Sequence, residues 1–121
     1  MLKIKRAYEK KGPADGKRIL VDRLWPRGVT KAEAGIDVWM RDLAPSDELR
    51  KWFGHNPEKW EEFKKRYAEE LSASDKRQLL EGIARESRRG RVTLVFGARD
   101  AEHSNARFLE ELVAKMSMVK A

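Results

Sequence analysis

The sequence predicts a single compact α/β domain, a small and mostly parallel β-sheet with helices packed over it. Three observations carry the prediction. Two aliphatic runs, Ile19-Leu20-Val21 and Val92-Thr93-Leu94-Val95-Phe96, read as strands buried on both faces. Apolar residues at three- and four-residue spacing mark helices between and after them, the alternation that builds parallel sheets. The length, 121 residues, suffices for one core but not for two.

The elements follow in order. Residues 2–8 alternate apolar with polar and predict a strand, closed by the turn Gly12-Pro13-Ala14-Asp15-Gly16. A second strand covers 17–22. Thr30-Lys31-Ala32-Glu33 has the form of a capping box, and Gly35 stops that helix after about one turn. Residues 36–40 alternate as a short edge strand would, with a helical turn as the alternative. Ser46 starts a helix that ends by Gly54. Asn56-Pro57 pairs a capping side chain with Pro at the first helical position and predicts a helix to about Leu71. Its Trp60, Phe63, Tyr67 and Leu71 share one face. A helix over 75–89 turns Leu79, Leu80 and Ile83 inward and stops at Gly90. After the strand 91–96 and the turn Gly97-Ala98-Arg99-Asp100, a last helix carries the stripe Phe108, Leu109, Leu112, Val113 and Met116.

Composition narrows the function classes. With no cysteine, disulfides, thiol nucleophiles and thiolate metal sites are excluded. No apolar run approaches the roughly 20 residues of a membrane span, and no signal-peptide core is present, so a cytoplasmic location is expected. The net charge of +7 favours anionic partners, either small molecules or nucleic acid. The two histidines and scattered acids lack metal-site spacing, and neither a phosphate-loop pattern nor a dinucleotide fingerprint occurs, so no metal or cofactor is expected. A monomer and a homodimer are equally compatible with the chain.

Two loops concentrate chemistry. Parallel neighbours would bring the segments after the two aliphatic strands to one sheet edge, where open α/β sheets place their ligands. The first loop supplies Asp22, Arg23, Trp25 and Arg27; the second supplies Arg99, Asp100, His103 and Asn105 at a helix start. Arg23 and Arg27 would grip phosphate or carboxylate in bidentate fashion. Trp25 would stack on a ring or else bury its bulk in the core. Asp22 and His103 are the catalytic candidates. The commoner role for Asp22 is to hold an arginine by ion pairing, and His103 reads equally as an acid–base group or as a surface residue. His55 reads as part of an interhelical loop.

The stretches Arg18-Ile19-Leu20-Val21-Asp22-Arg23-Leu24-Trp25-Pro26-Arg27-Gly28, Asp42-Leu43-Ala44-Pro45-Ser46, Leu49-Arg50-Lys51-Trp52-Phe53-Gly54-His55, Trp60-Glu61-Glu62-Phe63, Arg66-Tyr67, Glu70-Leu71 and Gly90-Arg91-Val92-Thr93-Leu94, with Asp100, Glu102-His103 and Asn105-Ala106, closely resemble the YeaO-like branch of the domain-of-unknown-function 488 family. The resemblance spans nearly the whole chain. It implies a small cytoplasmic prokaryotic α/β domain with no established activity; no helix-turn-helix supports a regulator. Other branches look as though they carry cysteines at the end of the last strand and at the next helix start. Here Phe96 and Ser104 stand there, so thiol chemistry does not transfer.

Two functions therefore compete: a site at the carboxyl edge of the sheet for an anionic small molecule such as a phosphate ester or nucleotide, with enzymatic turnover there left open, or a basic module that binds nucleic acid or an acidic protein.

Overall fold

The computed structural model describes residues 1–120, with side chains through Met116. Four strands, β1 (Leu2–Arg6), β2 (Lys17–Leu20), β3 (Val38–Trp39) and β4 (Val92–Phe96), form one sheet in the order β1-β4-β2-β3. Every pairing is parallel, so the sheet is parallel throughout rather than mostly so. Leu94 of β4 is flanked in register by Ile4 and Ile19. β4 is buried along its length, which is why it reads as an unbroken apolar run. Residues 36–40 do contain an edge strand, though only two residues of it pair.

Five helices complete the fold: α1 (Lys31–Ala34), α2 (Asp47–Phe53), α3 (Trp60–Glu70), α4 (Ser74–Arg89) and α5 (Asn105–Lys120). The capping box at α1 is reciprocal: Glu33 N–H donates to Thr30 Oγ1 at 3.1 Å, and Thr30 N–H to Glu33 Oε1 at 3.0 Å. Gly35 ends that helix in the left-handed region at φ 54°. Ser46 caps α2 by accepting from Leu49 N–H. The helix expected from Pro57 begins instead with a 3₁₀ turn, Pro57–Lys59, and becomes α-helical only at Trp60. Asn56 still caps it through Glu58 N–H. The first two strands also stop short of their expected ends, at Arg6 and Leu20, although Ala7 N–H and Val21 N–H still donate to the Phe96 and Val95 carbonyls.

One sheet face packs Ile19, Val21, Leu94 and Phe96 against Leu80 and Ile83 of α4, Leu109 and Val113 of α5, and the aromatic stripe of α3. Each such burial contributes about 1.5–3 kcal/mol. The other face is thinner, with Ala7, Leu20 and Val95 beneath Trp25, Ile36 and Trp39. Beside that small cluster lies a buried ionic knot. Arg18, with no exposed surface, donates to Asp15 Oδ2 at 2.6 Å and through Nε to the Ala34 carbonyl at 2.9 Å, while its Nη2 has no partner. Lys3 and Lys5 reach the same carboxylate at 2.9 and 3.2 Å. Burial works to raise the Asp15 pKa, but the Gly12 N–H and the three cations outweigh it and hold the carboxyl well below its ordinary range. Part of the expected basic surface is thus spent inside the scaffold.

Candidate functional site

β2 and β4 are neighbours, so the chain leaves both at the same edge of the sheet. The two loops are hydrogen-bonded to each other there: Gly97 N–H, just past β4, donates to Asp22 Oδ2 at 2.8 Å. A Cβ at position 97 would stand 3.3 Å from that oxygen, so glycine keeps the approach open. Asn105, in the first turn of α5, donates to the Val21 carbonyl at 3.0 Å and ties the helix start to the end of β2.

Above this junction lies a cavity of about 270 Å³, near the lower limit for small-molecule sites. Asp22, Arg23 and Trp25 line it from the first loop, and His103, Ser104 and Asn105 from the second. Helix α2 contributes Arg50 and Phe53, α3 contributes Phe63, and the loop between the two contributes His55. Phe53 and Phe63 stack at 4.4 Å between centroids, Trp60 stacks on Phe63 at 5.6 Å, and the His103 ring stands edge-on to Trp60 at 5.4 Å. This aromatic wall is continuous with the core, so its position is fixed by packing rather than by the loops.

Three expected residues lie outside the cavity. Arg27 is exposed, and its carbonyl accepts from Tyr8 OH at 3.1 Å. Arg99 is exposed on the second loop. Asp100 caps the 3₁₀ turn Ala101–His103 through Glu102 N–H and takes the His103 Nδ1 at 2.6 Å. That contact, with burial opposing it, keeps the Asp100 carboxyl below its usual value. In a neutral ring oriented this way, Nδ1–H donates to Asp100 and Nε2 keeps its lone pair. Trp25 divides its ring between roles: it lines the cavity, meets Trp39 in a T-shaped contact at 5.5 Å, and its Nε1 donates to the Val29 carbonyl at 2.6 Å.

The charge arrangement departs from expectation in two ways. First, Asp22 does not pair with an arginine. Among the described residues its carboxylate has no cation within ion-pair distance; Arg23 turns instead toward Asp47 at 3.6 Å and the Pro45 carbonyl at 3.4 Å. Burial raises the Asp22 pKa above the ordinary carboxyl value, opposed by the Gly97 N–H, the Asn105 amide and the more distant His55. Second, the partner of Arg23 at the cavity is Arg50, not Arg27. Arg50 Nη2 stands 3.5 Å from the same Asp47 oxygen, so two guanidiniums share one carboxylate, both beyond the 2.7–2.9 Å usual for charge-assisted bonds. Arg23 Nε is buried and makes no hydrogen bond.

Of the adjacent Trp52 and Phe53, one of which the sequence allows as a pocket residue, Phe53 lines the cavity; Arg50, His55 and Phe63 are not foreseen because α2, α3 and the loop between them reach the site only through tertiary packing. One local signal existed for His55. It follows Gly54 with both residues in the left-handed region, at φ 53° and 58°, the tight reversal that returns the chain toward the cavity.

The chain matches over residues 1–120 the family model described as "Inactive DUF488-N3 subclade". It belongs to the DUF488 family. Among curated relatives of this DUF488 chain, an uncharacterised protein of Mycobacterium tuberculosis is 41% identical over 112 residues, covering 93% of this chain and 92% of the relative. An uncharacterised protein of Mycobacterium bovis matches to the same extent. The uncharacterised protein YeaO of Escherichia coli is 34% identical over 110 residues, covering 91% and 94%. No solved structure matches. Among the described residues no helix is long and apolar enough to cross a membrane, and no group of three or more His, Asp or Glu is placed to hold a metal ion.

Proposed function

We propose that this DUF488 chain binds an anionic small molecule, a phosphate ester or nucleotide, in the cavity at the carboxyl edge of the sheet, and does so without turnover. The observation that carries the reading is the pair Arg23 and Arg50. Two guanidiniums line the cavity and share the single carboxylate of Asp47 at long range, and Arg23 keeps a buried donor, its Nε, unused. Anions with several oxygens satisfy such donors in bidentate geometry. Ser104 and Asn105, at the start of α5, line the same cavity, where a helix start favours an anion. The Asp100–His103 contact has the form of an oriented base, yet Asp100 is exposed and the subclade carries the description "inactive"; both favour binding over catalysis.

Isothermal titration with ribose 5-phosphate tests this. Arg23→Ala and Arg50→Ala are each expected to weaken binding about tenfold or more, the worth of a hydrogen bond to a charged group. Unchanged affinity in both variants, or no binding by the wild type at millimolar ligand, refutes the proposal.

A second reading, single-stranded nucleic acid, draws on Trp52, whose ring carries Arg66 at 4.2 Å and Lys59 at 5.0 Å, the basic–aromatic pairing of stacking surfaces. It predicts binding in fluorescence anisotropy that weakens steeply with salt. No binding to any oligonucleotide at low salt ends it.

A further inference from the structure

The cavity contains a carboxylate that the anion reading leaves unused. Asp22 is half-buried, sits where β2 ends, and has no cation within ion-pair distance among the described residues. Its Oδ2 is committed to Gly97 N–H, and the Asn105 amide supports the group from α5. Both contacts fix the carboxylate in position without neutralising it. A buried charge normally finds an opposite charge or a full set of donors. Arg23 and Arg50, which line the same cavity, turn to Asp47 instead.

Resting on the anion-site reading, we infer that the ligand also presents N–H donors, which Asp22 accepts at the sheet end of the cavity while the arginines take its anionic end. The ligand is then bipolar, with a donor edge and an anionic group separated by a body that fits between Trp25, Phe53 and Phe63. An aminated nucleobase carrying a phosphate supplies both ends and a flat body for the aromatic wall. A small ammonium phosphate supplies the same two ends without a ring. In either case Asp22 sets specificity, because a ligand lacking the donor leaves a desolvated carboxylate unpaired.

Two matched pairs distinguish the sources in calorimetric titrations. Adenosine 5′-monophosphate and purine riboside 5′-monophosphate differ by one exocyclic amine, which carries the only N–H of the base; phosphoethanolamine and ethyl phosphate differ by the ammonium. The donor-bearing member of at least one pair is expected to bind about tenfold or more tightly, in line with a hydrogen bond to a charged group. Preference in the nucleotide pair assigns the donor to a base, and preference only in the other pair assigns it to an ammonium. Asp22→Asn keeps an acceptor for Gly97 N–H and is expected to shrink that preference to within about threefold. The wild-type comparison stands even if this variant folds poorly. If ribose 5-phosphate binds but neither pair discriminates, the donor role of Asp22 is overturned and the anion site survives. If none of the five compounds binds, both fall.

Discussion

Asp15→Asn separates the ionic knot from the rest of the fold. The substitution conserves size and retains an oxygen for Gly12 N–H but removes the charge that faces Lys3, Lys5 and Arg18. The two lysines are partly exposed and recover hydration. Arg18 does not: it is fully buried, its Nη2 already lacks a partner, and its remaining bond runs to the Ala34 carbonyl. Removing one member of a buried pair costs about 3–5 kcal/mol. With an unfolding entropy of about 2.1 cal/mol/K per residue, 3 kcal/mol lowers Tm by about 12 °C in a chain of this length. Urea denaturation at neutral pH, with Tm by calorimetry, measures it. The loss also has a pH signature. A carboxyl held below its unfolded value contributes stability that is fully present above about pH 3.9 and is lost as pH falls toward the native value. The gap between wild type and variant is therefore expected to narrow below about pH 4. Adding Arg18→Met to the variant should recover part of the loss by removing the stranded cation. A loss under about 1 kcal/mol, or a gap constant down to low pH, refutes the claim that Asp15 holds Arg18 in place.

Other outcomes follow from the same contacts. Asp22 titrates in the opposite sense: its raised native pKa means stability falls as pH rises from the unfolded carboxyl value through the native one, so wild-type Tm relative to Asp22→Asn should drop across that interval, and parallel profiles would exclude it. Gly16→Ala is expected to cost about 3 kcal/mol or more in urea denaturation, since Gly16 has φ 62° and ψ −136° and a Cβ would lie 2.1 Å from the Arg91 carbonyl oxygen; a loss below about 1 kcal/mol would show that the turn relaxes. Tyr67→Phe removes the buried hydroxyl that donates to the Leu43 carbonyl and is expected to cost about 1–3 kcal/mol by the same assay, with no change in Tm as the contrary result.

What was readable in the sequence was local. β2 and β4 announced themselves because strands buried on both faces contain little but aliphatic residues, and Thr30, Ser46 and Asn56 announced helix starts because a cap needs its partner within three residues. The meeting of the two loops was also legible, since it follows from adjacency of parallel strands. Partner choice was not. Nothing near Asp22 in sequence shows that Arg23 will turn to Asp47, or that Arg50 will supply the second guanidinium, because both depend on where α2 settles over the strand ends. The Asp15–Arg18 knot was hidden for another reason: Gly12 to Gly16 has the composition of a solvated turn, and only the thin layer over the second sheet face buries it.

The central place of β4 has a consequence during synthesis. β1 shares its backbone bonds with β4 alone, and β2 depends on β4 for all but the two-residue pairing to β3. No complete sheet can assemble before residue 96 has left the ribosome. Until then β1 has no strand to pair with and β2 has only its two-residue pairing to β3, and both are joined to β4 in the end by loop closures spanning most of the chain. Completion of the sheet is accordingly timed by β4.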